Sequence, residues 1–443
     1  MSDSFVTDRG SLPPTEARSI RFRWIMPVAV VTLFASLLGL MYLAYVANPD
    51  QNLHDYPIAV VDNDAGTELG PPGHRTRIDY GAQVLEAITA NTSGDRFDLR
   101  VVGIDEAQQL MQDGRVYGAV IIPGDFTQQM LNLGAGPAVA GELRRPSITV
   151  ETNPRLGPFS TSITTRFADQ TIESVNAALG PELSARVQQQ LRPEEPIGAA
   201  QLILEEPVEP IVQPYHGMPE GSGQGLTAFF FALTILLGGM TGAMTIHAII
   251  DSMLGFAPTE YGPYFSHSPA ASISRLRTLL IKWGTMAVAA AASSGALIGI
   301  GAVLDVHIDR PLALFLYSTF AMTAVGVTAL TVMAAVGSVG ILVNLIVFVI
   351  LGMPSAGGTI PVEATPRFFD RLADVEPLRQ VYLAVRSLMY FDGSAAAGLD
   401  RGVWMTVAGL AVGVVSGVLI TAMYDRKGLT RTARPAVAAL QPA

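Results

Sequence analysis

The 443-residue chain has no cysteine, which excludes disulfides, thiolate metal sites and a cysteine nucleophile. Lysine is nearly absent too: Lys282 and Lys427 are the only two, so almost all positive charge is arginine. No GxxxxGKS or GxxxxGKT run occurs, so the chain carries no P-loop of its own for ATP. Neither a G-x-S-x-G elbow nor an H-E-x-x-H pair is present. The six histidines, His54, His74, His216, His247, His267 and His307, are scattered without the spacing of a metal site. These absences argue against an enzyme, a resident metal and a bound cofactor.

What the chain does have is apolar sequence: 49% of its residues are hydrophobic, in runs long enough to cross a bilayer. Charge is unevenly placed. Between Pro49 and Leu226 there are 24 Asp and Glu against 11 Arg, a net of −13, while the whole chain carries −10. A soluble part so acidic does not suit a nucleic-acid partner.

Residues 1–23 are polar and end in Arg18, Arg21 and Arg23, directly before an apolar run over 24–47. That run is longer than the apolar core of a signal peptide, and it reads as an uncleaved anchor. The positive-inside rule then puts the N-terminus in the cytoplasm of a bacterial cell and residues 48–226 outside the cytoplasmic membrane. There, apolar runs at Tyr56 to Asp64, Phe97 to Gly103, Val116 to Pro123 and Ser147 to Thr152 predict strands. Gly81 to Asn91 and Ile104 to Gly114, the latter with Asp105 as N-cap, predict helices, as does a long pattern from Phe159 to Gln190 interrupted near Gly180 and Pro181. Such alternation favours a sheet covered by helices.

Five further spans are expected near Thr227 to Ile250, Thr278 to Leu304, Pro311 to Val336, Val339 to Gly358 and Gly402 to Tyr424. The resulting fold class is a six-span helical membrane protein with a large extracytoplasmic α/β domain, residues 425–443 forming a cytoplasmic tail. Arg275, Arg277 and Lys282, and then Arg426, Lys427, Arg431 and Arg434, fall on the inner side of this scheme. One span stands apart. About 14 residues after Val339, Gly352, Pro354, Gly357, Gly358 and Pro361 follow one another too closely for a helix to continue. A bilayer core of about 30 Å needs roughly 20 helical residues, so the break falls near membrane depth. Lipid cannot satisfy its free N–H and C=O groups, which must be covered by protein or a water-filled cavity. Beyond the break, Thr365 to Gly393 mixes apolar and charged residues at helical spacing, the pattern of interfacial helices, and 352–393 is expected to form one outer re-entrant unit.

The remaining candidates each have a plainer reading. Asp62, Asp64 and Glu68 alternate as calcium ligands do, but Gly66 is misplaced for an EF-hand, and a strand-end turn capped by Asx side chains is the default. Asn344 is an amide inside a span, for which a helix-to-helix hydrogen bond is favoured over a substrate contact. The spans show no carboxylate at mid-depth of the kind that proton- or sodium-driven carriers keep. The loop from Asp251 to Lys282 is expected either to hold a short helix along the membrane that receives a partner's power stroke, or to be an anchor of snorkelling basic residues.

The run Gly114 to Phe126, with Gly-Arg-Val-Tyr-Gly-Ala before Ile-Pro-Gly-Asp-Phe, and the opening IAVVDNDAGTELG resemble the YhgE/Pip (phage infection protein) family. That family sits within the wider ABC-2 permease group. GMPSAGGTIP with VEPLRQVYLAVRSLM resembles the outer re-entrant hairpin of those permeases, and SPAASISRLRTLLIK their cytoplasmic coupling segment. The E-R-x-x-G-T-x-E signature of many such coupling loops is missing, with Thr259 and Glu260 its only echo. The resemblance implies a transport component for lipids or other hydrophobic envelope compounds, without cofactor. An outer gate would lie at Gly352, Pro354, Gly357, Gly358 and Pro361, and a coupling or anchoring segment at Glu260, Arg275, Arg277 and Lys282. The partners it implies are membrane lipids, a second copy in a homodimer, and a separate ATPase subunit or a larger lipid transporter. The alternatives are an accessory scaffold to a proton-driven lipid transporter, and a surface receptor for phage that transports nothing.

Overall fold

The structure, a computed structural model, describes residues 25–69, 74–135, 145–190, 203–266, 268–429 and 431. The basic clusters at Arg18, Arg21 and Arg23 and at Arg434 lie outside the described residues.

A five-stranded sheet forms from β1 (Tyr56–Asp62), β4 (Phe97–Val101), β5 (Gly118–Ile122), β6 (Ser147–Thr152) and β7 (Glu209–Pro214), in the order β4-β1-β5-β6-β7. A small hairpin of β2 (Thr67–Leu69) and β3 (Thr76–Ile78) stands beside it. β1 runs parallel to both β4 and β5, β6 is antiparallel to β5, and β7 parallels β6. Parallel pairing requires crossovers. Here they are α2 (Tyr80–Asn91) and α3 (Ile104–Gln112), which cover opposite faces. Ile58 and Val60 therefore point into one core with Val84 and Ile88 of α2, while Ala59 and Val61 meet Ala107 and Met111 of α3 on the other side. This two-sided burial is why β1 reads as a continuous apolar run rather than an alternating one.

α4 (Phe126–Ala135) and the 33-residue α5 (Pro158–Gln190) complete the first face. Two local expectations are corrected here. Gly103, not Asp105, is the N-cap of α3, with no side-chain bond, and Asp105 sits in the first turn, where its charge still favours the helix dipole. α5 runs without interruption through Pro181. Its apolar face continues past the proline, with Leu179, Leu183 and Val187 all buried. At about 1.5–3 kcal/mol each, their burial outweighs the roughly 3 kcal/mol that an internal proline costs.

The Asp62–Asp64 turn is of the Asx type. Asp62 Oδ1 accepts from the Asp64 N–H at 3.0 Å. Asp64 in turn accepts from the Gly81 N–H at 3.0 Å, from the Thr127 N–H at 3.1 Å and from the Thr127 hydroxyl, so one carboxylate closes the N-terminal ends of α2 and α4 together. Asp64→Ala removes the shared acceptor from both ends, although Asp79 still caps α2 through the Ala82 N–H, and we expect it to cost about 2 kcal/mol locally. Hydrogen exchange checks this: the Gly81 and Thr127 amides should exchange about thirty-fold faster, with β7 amides unaffected.

Among the described residues, five helices are long and apolar enough to cross a membrane: α1 (Ile25–Val46), α6 (Leu226–Met253), α7 (Arg275–Val303), α8 (Pro311–Val336) and α13 (Asp400–Arg426). α6, α7, α8 and α13 pack side by side with α8 the most enclosed, whereas in α1 only Tyr45 is buried. The segment expected to be a further span is a shorter apolar helix, Val339–Ser355. The sheet lies at the end of the bundle where α1 finishes and α6 begins.

The loop joining α6 to α7 differs from expectation. In place of a short helix, its described residues form a hairpin, β8 (Thr259–Tyr261) with β9 (Tyr264–Ser266). Alternating Thr, Tyr and Phe around Gly262 favour paired strands over a helical turn.

Candidate functional site

The chain leaves helical geometry in stages. α9 (Val339–Leu345) passes into a π-helical turn at Ile346–Ile350, then a single turn α10 (Gly352–Ser355), then non-helical backbone to Pro361. Each stage releases backbone groups, and other elements take them up. From α1, the Tyr42 hydroxyl donates to the Val349 carbonyl at 3.1 Å, and the Tyr45 hydroxyl accepts from the Ile360 N–H at 2.9 Å while bonding the Thr359 hydroxyl at 2.5 Å. The Arg379 guanidinium donates to the Ala356 carbonyl at 3.0 Å. Gly352, Pro354, Gly357, Gly358 and Pro361 are all buried. Protein, rather than lipid or open water, thus covers the unwound backbone, which is the condition for its survival in an apolar setting.

Two glycines there are irreplaceable for different reasons. Gly357 has φ +70°, in the left-handed region, and a side chain on it would overlap the Arg379 guanidinium. A side chain on Gly358 would overlap the ring of Phe229, which is itself fully buried in α6. Asn344 bonds across to the Ala329 carbonyl of α8 at 3.1 Å, an ordinary helix-to-helix link.

The break then meets the sheet. Glu363 accepts from the Tyr117 hydroxyl at 2.8 Å, and its carbonyl accepts from the His54 N–H at 2.8 Å. Burial, with the Glu363 charge adding to it, pushes the Tyr117 phenol well above its ordinary pKa, so at neutral pH it stays a donor.

α11 (Arg367–Ala373) leads to α12 (Pro377–Tyr390), and here the interfacial expectation fails: every residue from Gln380 to Tyr390 is buried. The polar residues that mimic a wetted face have partners inside. Gln380 donates to the carbonyls of Ala373 and Asp374, and Arg386 lies over the rings of Tyr382 and Phe391. The Tyr390 hydroxyl donates to the Ser222 carbonyl at 3.0 Å, tying the far end of α12 to the strand-to-helix neck below β7. Glu376, immediately before α12, is 2% exposed, so a buried carboxyl does lie within the bundle, contrary to the reading of the spans alone.

Between α8, the π turn, α12 and α13 lies an apolar cavity of about 310 Å³. Val325, Phe348, Val381 and Val412 line it, and Thr328, Gln380 and Thr406 supply its few polar side chains. Ala321, on its wall, is ten residues past Pro311, about 15 Å along α8, and the cavity opens to the outside of the bundle where Val375, Gly409 and Val412 are exposed.

At the end of the bundle opposite the sheet, the structure gathers some of the expected coupling residues and leaves others out. Lys282 does not snorkel. It is 2% exposed, with Nζ 2.5 Å from Asp251 Oδ1 and 3.0 Å from His247 Nδ1. Arg431 reaches the same Asp251 oxygen at 2.8 Å. Asp425 of α13 accepts from the backbone N–H groups of Arg275 and Leu276, closing the first turn of α7, and Arg275 Nε donates to the Leu429 carbonyl. Glu260 sits exposed on β8 and Arg277 is exposed on α7, both apart from this knot.

Tyr42, Tyr45, Arg379 and Asp251 escaped the sequence reading. The tyrosines had a faint signal as aromatic residues near a span end, but nothing in the chain pairs them with residues three hundred positions away.

Comparison with curated proteins finds no match. A family model described as ABC-2 family transporter protein, however, matches residues 20–423, from the start of α1 to the end of α13, taking in the sheet, the broken helix and the buried α12 between them. Nearly the whole architecture thus falls under one description: this chain belongs to the ABC-2 family of transporter proteins, as a membrane component of a transport system.

Proposed function

We propose that the chain exports lipids or other hydrophobic envelope compounds, and that the cavity between α8, α12 and α13 receives an apolar portion of the cargo. That cavity carries the proposal: it is lined almost wholly by hydrocarbon, at bundle depth, directly beneath the break. Gly352, Pro354, Gly357, Gly358 and Pro361 act as its outer gate. The sheet faces outward and both termini face the cytoplasm, in keeping with the basic residues Arg275, Arg277, Arg426 and Lys427 at the opposite end. The broken helix with the re-entrant α11 and α12 then makes the fifth of six crossings, in the manner of the YhgE/Pip branch. Energy comes from a separate ATPase docking near Glu260 and the exposed Tyr264 and Phe265 of the β8–β9 hairpin, and the bare face of α1 seats a second copy.

Gly409 offers a direct test. It lines the cavity, and a Cβ added there meets nothing within 4 Å. Gly409→Phe fills the space from an open position, so we expect thermal stability to change by no more than about 0.5 kcal/mol while export falls at least tenfold. Lipid analysis of envelopes from cells carrying either form measures it, and unchanged lipid content would refute the cavity's role. Co-purification tests the partner: a stoichiometric ATPase supports this reading. A large proton-driven transporter would instead make the chain an accessory scaffold, the role that the missing E-R-x-x-G-T-x-E signature favours.

A further inference from the structure

The N-terminal end of α12 holds a carboxyl in an unusual position. Glu376 Oε2 accepts from the Arg379 N–H at 3.1 Å and so caps the helix. Its other oxygen, Oε1, is buried and has no hydrogen-bond partner among the described residues, and a Cβ added to Gly352 would lie 3.1 Å from it. The unpaired oxygen is therefore aimed at the segment where the broken helix begins to unwind.

Among the described residues, nothing nearby offers a countercharge. On α12 itself, Arg379 turns its guanidinium to the Ala356 carbonyl, and Arg386 is three turns away over its aromatic rings. From α11, Asp374 is exposed and bound to Arg401 of α13, which also bonds Gln380. Residues 339–361 of the broken helix contain no ionisable side chain, and α8 offers only Tyr317, bonded to Gly402 and Thr406. An ionised carboxylate in such a place is costly, whereas a neutral acid has a proton with which to fill the vacant direction.

We propose that Glu376 is a proton-binding site that couples protonation to the state of the break. With the proton on, the carboxyl fits against Gly352 and the segment stays closed. With the proton off, the uncompensated charge draws water or a cationic group inward and loosens the contact between α10 and α12. Arg379 transmits the change, because its N–H holds Glu376 while its side chain holds the Ala356 carbonyl.

The absence of native cysteine makes the test clean. Ile360→Cys places a single thiol in the break of the full-length protein in vesicles of mixed phosphatidylglycerol and phosphatidylethanolamine, where its modification by a charged maleimide reports opening. Between about pH 6 and about pH 9, a range wide enough to change the charge of a carboxyl without a countercharge, labelling should rise at least threefold beyond the increase given by thiol ionisation alone. Glu376→Gln in the same background, keeping shape and removing the proton site, should abolish that excess and leave only the thiol's own dependence. Glu376→Asp should restore it with a shifted midpoint. Equal pH dependence in Glu376→Gln and the parent overturns the proposal, as does a parent with no excess. If Glu376→Gln fails to fold, an unshifted midpoint in Glu376→Asp overturns it instead. The readout is independent of cargo, so a failed export reading leaves this result standing.

Discussion

Gly358→Ala, the addition of one methyl group, is expected to cost about 3 kcal/mol and to disable the protein. The new carbon would overlap the ring of Phe229, which has no room to retreat because it packs edge-on against Tyr382 at 5.9 Å and is fully buried. Overpacking of a dense interior typically costs 1–3 kcal/mol, and an aromatic ring hemmed in on both sides belongs at the upper end. Gly357→Ala adds about 1 kcal/mol of left-handed backbone strain to the loss of the Arg379 contact. The controls lie in the same bundle: Gly284 and Gly299 of α7 have nothing within 4 Å of an added Cβ, and alanine there should be neutral or stabilise by about 0.5–1 kcal/mol. Thermal unfolding of the purified variants in lipid discs ranks the four. If all four glycines respond alike, the break is not held as tightly as these contacts require.

The second large effect lies at the opposite end. Asp251 is shared by Lys282, Arg431 and, at 3.3 Å, His247. Removing the carboxylate leaves cationic groups crowded together without compensation, so Asp251→Asn should cost about 3–5 kcal/mol. Lys282→Met leaves Asp251 still paired with Arg431, and about 2 kcal/mol is expected, between a buried hydrogen bond to charge and a broken ion pair. The double variant Asp251→Asn with Lys282→Met removes both charges, and should be less damaged than the two single losses added together, with a coupling of about 1–3 kcal/mol. A thermodynamic cycle on unfolding midpoints measures it. Because the pair is buried, added salt should barely change the result. Strict additivity would mean that the two side chains do not sense one another.

The two sites differ in how far the sequence exposes them. The break is legible because its cause is local: five glycines and prolines within ten residues forbid a helix wherever the chain runs. β1 and β5 are legible for a similar reason, since an apolar run bounded by Asp or Pro needs no distant information to read as a strand. What covers the break is not legible. Tyr42 and Tyr45 sit on a helix that looks like a plain anchor, and their partners are met only after the chain has folded back on itself.

The errors in reading share one physical source. Polar residues at helical spacing look the same whether they face water or buried partners, so α12, with Arg379, Gln380 and Arg386, passed for a wetted helix. Lys282 passed for a snorkelling anchor in the same way, because the carboxylate that holds it lies 31 positions earlier at the end of another helix. Glu376 was hidden within that mistaken surface helix. Pro181 misled in the other direction: its local penalty is real, and the buried Leu179, Leu183 and Val187 on either side of it override the penalty.

The Tyr117–Glu363 bond joins the start of β5 to the break, and the Tyr390–Ser222 bond joins the neck below β7 to the far end of α12. A displacement of the sheet is therefore passed directly to the break through Tyr117, and to α12 through the neck that carries Ser222. An antibody fragment clasping the exposed surfaces of α2 and α3 should therefore resist any movement of the break from a distance.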